Sequence, residues 1–168
     1  MLKLTGDNEP VRGPAHHRDR LVLRAYSGLT NRFAAQFDEH GLSAVEHEVL
    51  MRLARSPGRQ LRMTDLAAQT SLSTSGVTRV VDRMERSGLL CRSACPTDRR
   101  SSFAVITDAG LARLNEALPG HLALIEEFIT GLLTPGQLDG LLDALRVIRD
   151  AANPGATVGT TDSPHSGE

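Results

Sequence analysis

The sequence predicts an all-α fold with a small β wing, split between a lobe of short helices ending in a hairpin and a lobe of long amphipathic helices. Three observations carry that expectation. Apolar residues recur at three- and four-residue steps through most of the 168 residues. A short helix, the corner Ser71-Leu72-Ser73 and a Ser-capped helix follow one another between Thr64 and Gly88. Two strand-like runs joined by Pro96-Thr97-Asp98-Arg99-Arg100 come next, ahead of a helix start at Thr107-Asp108. In that order the elements spell a winged helix-turn-helix.

Residues 1–14 hold two Pro and two Gly with little periodicity, and 153–168 is rich in Gly, Thr, Ser and Pro; both are expected to be flexible. One unit should span 15–152, with long helices at about 15–39 and 108–151 and a compact lobe at about 42–107. From His17 to Glu39, Leu21, Val22, Ala25, Tyr26, Leu29, Phe33 and Phe37 share one face of a first helix, which Gly41 ends. Ser43 with Glu46 makes a capping box for a second helix, whose Val45, Val49, Leu50 and Leu53 point inward until Ser56-Pro57-Gly58. Thr64 is expected to cap a short third helix over Asp65 to Thr70.

Ser73 caps the fourth helix. Its apolar set Val77, Val80, Val81 and Met84 leaves Ser75, Thr78, Arg79, Asp82, Arg83 and Arg86 on the polar face, and Gly88 terminates it. Leu89 to Cys95 and Ser101 to Ile106 read as the strands of the wing. The fifth helix carries Leu111, Leu114, Leu118, Leu122, Ile125, Ile129 and Leu132, more apolar surface than a small domain buries alone, and Pro119 should bend it. Thr134-Pro135-Gly136-Gln137 is a second capping box, opening a sixth helix lined by Leu138, Leu141, Leu142, Leu145 and Ile148.

Composition narrows the functional classes. A hydrophobic content of 40% with 23% charged residues is that of an ordinary soluble domain. Aromatic residues at 3% and the absence of Trp argue against a base-stacking or sugar-binding platform. The net charge of −1 conceals an asymmetry: Arg52 to Arg100 holds ten Arg against four acids, a net of +6 that leaves −7 elsewhere. A basic middle flanked by acidic helices suits a protein that meets phosphate with one lobe only. Residues Met1 to Pro10 lack a secretory pattern and no apolar run reaches membrane-span length, so a cytoplasmic protein is expected.

The residue types at the fourth helix suit duplex DNA. Ser73, Thr74 and Ser75 place small hydroxyls at a helix N-terminus, where free N–H groups favour phosphate, and Gly76 should ease close approach. Thr78 and Arg79, one turn on, are placed to read base edges, with Arg83 and Arg86 read as phosphate contacts. In the wing, Asp98 can hold Arg100 extended for a narrow minor groove, while Arg99 serves neighbouring phosphates. A Ser/Thr/Arg helix face taken alone is as readily a solvated surface, and Asp98 alone an ordinary ion pair. The preceding corner and following basic hairpin favour the nucleic-acid reading.

At this point the chain resembles the MarR (multiple antibiotic resistance regulator) family of bacterial transcription factors. The matching pieces are Leu42-Ser43 through Leu50, Ser73 through Gly88, Asp98-Arg99-Arg100 and Ile106-Thr107-Asp108-Ala109-Gly110. The resemblance implies a homodimer in which the first, fifth and sixth helices of two chains intertwine. It implies a double-stranded, near-palindromic DNA operator, repression, and release by a small-molecule effector of unknown identity. An effector pocket is expected between the first, second and fifth helices, with Tyr26, His47 and His121 as its polar groups.

Other readings differ in what they require. Cys91 and Cys95 are too few for a disulfide framework; a regular strand would place both on one face, where they could act as a thiol-based redox switch or sit as small buried hydrophobes. His16, His17, His40, His47 and His121 with Glu46 lack metal-ligand spacing, so neither metal nor cofactor is expected. No phosphate loop, nucleophile elbow or metal-binding helix motif suggests an enzyme. A winged helix used only as a protein-interaction module would bind DNA weakly and without palindrome preference.

Overall fold

The computed structural model describes residues 14–95 and 98–157, with side chains described for 20–94 and 101–156. Six helices are placed: α1 (Pro14–Glu39), α2 (Ala44–Arg55), α3 (Met63–Gln69), α4 (Thr74–Arg86), α5 (Asp108–Phe128) and α6 (Pro135–Ala152). Three strands, β1 (Gln60–Arg62), β2 (Leu90–Cys95) and β3 (Asp98–Ile106), form an antiparallel sheet in the order β1-β3-β2.

Local chemistry explains most boundaries. Both components of the capping box are present at α2, where Ser43 Oγ accepts from the Glu46 amide and the Glu46 carboxylate accepts from the Ser43 N–H. The same reciprocal pair opens α6 at Thr134 and Gln137, with Pro135 in the first turn. Ser73 Oγ accepts from the Gly76 amide to open α4, and Gly88, at φ +74°, takes the chain out of it in the left-handed conformation that glycine adopts without penalty. Thr107 caps α5 and donates back to the Gly88 and Leu89 carbonyls, locking the end of the hairpin to the helix. Gly110 is required there: a Cβ would run directly into the Leu89 carbonyl and lie 2.9 Å from Ile106 Cγ1.

The core lies in the small lobe. Val49, Leu50 and Leu53 of α2, Leu66 of α3, Val77, Val81 and Met84 of α4, and Leu90 and Ala104 of the sheet close on one another, with Leu114 and Ala117 of α5 joining from the side. The long helices contrast with it. No residue of α6 is buried, and Leu21, Val22, Leu23 and Tyr26 of α1 and Leu141, Leu142, Leu145, Val147 and Ile148 of α6 stand exposed.

Several expectations are corrected. Thr64 does not cap α3: Arg62 holds the N-cap position without a side-chain cap, because Gln60–Arg62 is already committed to β1, pairing with Phe103 to Val105. That strand gave no periodic signal in three residues. In the hairpin, Asp98, Arg99 and Arg100 lie in β3 and not in the turn, since Cys95 already pairs with Asp98. A register shift between Ala94 and Cys95 breaks the alternation on which a shared face for Cys91 and Cys95 depended. Cys91 is exposed rather than a buried hydrophobe.

Helix α5 continues through Pro119; the Asn115 carbonyl that a proline cannot satisfy belongs to an exposed residue. The helix ends at Phe128, so Leu132 lies in a following 3-10 turn. Of the C-terminal segment expected to be flexible, Pro154–Thr157 forms a 3-10 turn packed on α3; 158–168, like 1–13, lie outside the described residues. Ala156 is buried, its carbonyl accepts from Arg52 Nη1 at 2.8 Å, and Asn153 Nδ2 donates to Ser71 Oγ at 2.6 Å.

Candidate nucleic-acid interface

The N-terminal half of α4 presents an open face. Ser73, Thr74, Ser75, Thr78 and Arg79 are all exposed, with Ser73 and Ser75 hydroxyls 3.2 Å apart. Thr78 Oγ1 donates to the Thr74 carbonyl, which ties its hydroxyl to the helix backbone. At Gly76 a Cβ would sit 3.2 Å from Ser73 Oγ and 3.6 Å from Leu72 Cβ, so the glycine also makes room for the helix's own cap. Arg86 is exposed and its Nε donates to the Asp82 carbonyl.

Arg83 is half exposed and tied at one nitrogen. Its Nε donates to Glu46 Oε1 at 2.7 Å, a bond from α4 to the first turn of α2. Burial alone would raise the Glu46 pKa, but hydrogen bonds from Ser43 and Arg83 outweigh it and hold the carboxyl below its ordinary value. Across the helix, Arg92 of β2 pairs with both Asp82 and Glu85. Neither tie was legible in the sequence, where Arg92 counted only as one charge among ten; the clue was that two of the four acids in the basic segment stand three apart on α4. The side chains of Cys95, Asp98, Arg99 and Arg100 lie outside the described ones, as do those of His16 and His17.

The residues expected at an effector pocket separate into two places. His47 and His121 meet at the junction of α1, α2 and α5, with ring centroids 5.0 Å apart; His47 stacks on Phe37 at 3.9 Å, and His121 meets Phe33 edge-on at 4.8 Å. Burial, with the neighbouring His121 second, pushes the His47 pKa down to about 4, and burial lowers that of His121. His47 Nε2, His121 Nδ1 and Gln36 Oε1 are buried without a hydrogen-bond partner. Tyr26 lies well up α1 and is 66% exposed, away from that cluster. Among the described residues no group of His, Cys, Asp or Glu could hold a metal ion.

A three-helix core whose Ser-capped, arginine-bearing helix keeps one face open, followed by an antiparallel wing, defines a winged helix-turn-helix regulator of the kind that docks on duplex DNA. Comparison with known proteins makes the class specific. The model of the MarR family matches residues 40–101. HTH-type transcriptional regulator MhqR of Bacillus subtilis is 37% identical over 112 residues, 67% of this chain and 76% of that protein. Among solved structures, AbsC, a MarR family transcriptional regulator from Streptomyces coelicolor, superposes with a TM-score of 0.81 at 31% identity, covering 88% of this chain and 99% of AbsC. Sco3205, a MarR family regulator from the same organism solved in complex with DNA, gives 0.78 at 31%, covering 86% and 92%. The chain belongs to the MarR family and is a DNA-binding transcriptional regulator. These relatives are regulators, not enzymes. No described helix is long and apolar enough to cross a membrane.

Proposed function

We propose that the protein is a ligand-responsive repressor that binds a near-palindromic operator as a homodimer. The observation that carries this reading is the apolar surface left uncovered on α1 and α6, where Leu145 is 50% and Ile148 60% exposed in a single chain. A second copy of the chain is the natural cover. Pairing through α1, α5 and α6 sets two copies of α4 about 34 Å apart, one turn of B-DNA, which requires half-sites at that spacing.

In each copy Ser73, Thr74 and Ser75 approach phosphate, Thr78 and Arg79 read bases, Arg86 contacts phosphate, and Asp98, Arg99 and Arg100 of the wing address the neighbouring minor groove. Release follows from linkage. A ligand at the α1–α2–α5 junction, where His47, His121 and Gln36 bring unpartnered polar atoms, need prefer a different helix spacing by only about 1 to 3 kcal/mol to weaken operator binding about 5- to 150-fold.

The test combines sedimentation with selection of bound genomic fragments. A dimer at micromolar concentration that protects two half-sites one turn apart supports the reading. A monomer, or equal grip on random duplex, overturns it.

A further inference from the structure

The wing and α4 address different grooves in the reading above, so their mutual angle has to be set by something other than the DNA. We propose that Arg92 is a positioning residue for sequence discrimination: it ties the first wing strand to α4 and fixes the frame from which both elements reach the duplex. This inference rests on α4 and the wing being the DNA-contacting elements.

Arg92 makes three bonds to one flank of α4. Its Nη2 pairs with Asp82 Oδ1 at 2.6 Å, its Nη1 donates to Glu85 Oε2 at 2.8 Å, and its backbone N–H donates to Glu85 Oε1 at 3.2 Å. The backbone bond has a structural cause. Strand β2 is an edge of the sheet, so its outward N–H groups have no strand partner, and the Glu85 carboxylate takes the place of one at Arg92. The guanidinium then spans the two carboxylates as a planar fork, a geometry that a lysine's point charge does not reproduce.

On the opposite flank, Arg83 is held by Glu46. The C-terminal half of α4 is therefore gripped from both sides, while Ser73 to Arg79 stays open. With two carboxylates on its guanidinium, Arg92 has no charge left for phosphate although it sits in the basic lobe. Base-edge hydrogen bonds need close placement of the reading side chains, whereas phosphate contacts tolerate displacement. Loosening this tie should cost specific affinity and spare non-specific affinity.

The full-length protein is assayed on the tightest fragment selected from genomic DNA and on a random-sequence duplex, over a range of salt. Arg92→Ala is expected to weaken the selected fragment about 5- to 50-fold and the random duplex about 2-fold at most, with the salt slope unchanged. Arg92→Lys should recover only part of the loss. The double variant Asp82→Asn/Glu85→Gln should reproduce the loss even though it removes negative charge from the lobe, and adding Arg92→Ala to it should cost little more. That carboxylate variant carries the test if Arg92→Ala does not fold by thermal melting.

Equal weakening on both duplexes with a slope reduced by about 1 would make Arg92 a phosphate ligand and overturn the proposal. No change on either duplex, or tighter specific binding by the carboxylate variant, would overturn it as well. Arg79→Ala separates the two levels. If it leaves the selected fragment's affinity intact, the assignment of α4 as the reading helix fails, whatever Arg92 does.

Discussion

The small lobe and the long helices answer the same physical demand in opposite ways. In the lobe, Leu53, Leu66, Val77, Val81 and Met84 are fully buried within one chain, and each helix there is short because its neighbours supply the stability that a helix of twelve or thirteen residues lacks alone. In α6, a helix of 18 residues with an equally regular apolar stripe buries nothing completely. The lobe buries its apolar face within one chain, whereas the arms leave theirs uncovered, the surface that the proposed dimer would close. In the proposed dimer this division would let the distance between two reading surfaces be set by an interface separate from the packed lobe.

Four expected outcomes bear on that contrast. The largest concerns the arms: Leu145→Glu with Ile148→Glu, two charges placed on the exposed stripe, should abolish the proposed dimer at micromolar concentration. Sedimentation would then report a monomer while circular dichroism retains the helical signal. A dimer that persists would place the interface elsewhere.

In the lobe, Leu53→Ala should cost about 2 to 5 kcal/mol in urea unfolding, at every protein concentration. A concentration-dependent loss would mean that the lobe is not self-sufficient.

The junction between the regions should respond to acid. His47 titrates near 4 in the folded protein against 6.5 in the open chain. The unfolded state therefore takes up the proton first, and stability falls as pH drops from 6.5 towards 4, by roughly 1 to 3 kcal/mol. His121, lowered in the same direction, adds to the fall. His47→Phe, which keeps a ring against Phe37, should flatten the profile measured by denaturation over that range; an unaltered profile would assign the acid sensitivity to other groups.

The smallest effect is at the cap of α2. Ser43→Ala should cost about 1 kcal/mol, with unfolding midpoints as the measure.

What was legible in the sequence follows the range of the interaction. The starts of α2, α4 and α6 could be read because cap and capped groups lie three residues apart: Ser43 with Glu46, Ser73 with Gly76, Thr134 with Gln137. Strand β1 could not, because three residues hold too little pattern and Leu61 finds its partner in Ala104. The arginines divide in the same way. All lie in a segment whose positive charge was evident, yet the Nε of Arg83 bonds Glu46, 37 positions earlier, and Arg92 pairs with two acids across a turn. No local pattern encodes such pairings. Tyr26 stands apart from His47 and His121 in the single chain for the converse reason: it lies about three turns before Gln36 on a helix that rises about 1.5 Å per residue, while the contacts to His47, His121 and Ala117 come from Phe33, Gln36 and Phe37.

The turn at Pro154–Thr157 sets an order of events at birth. Arg52 waits for the carbonyl of Ala156, 104 positions later, and Ser71 in the corner waits for Asn153. During synthesis the helix-turn-helix therefore emerges with one of its seams open, and that seam closes only after residues 153–156 have been made. A copy that stops short of Asn153 lacks both bonds, and the corner at Ser71 loses the side chain that reaches it from beyond α6.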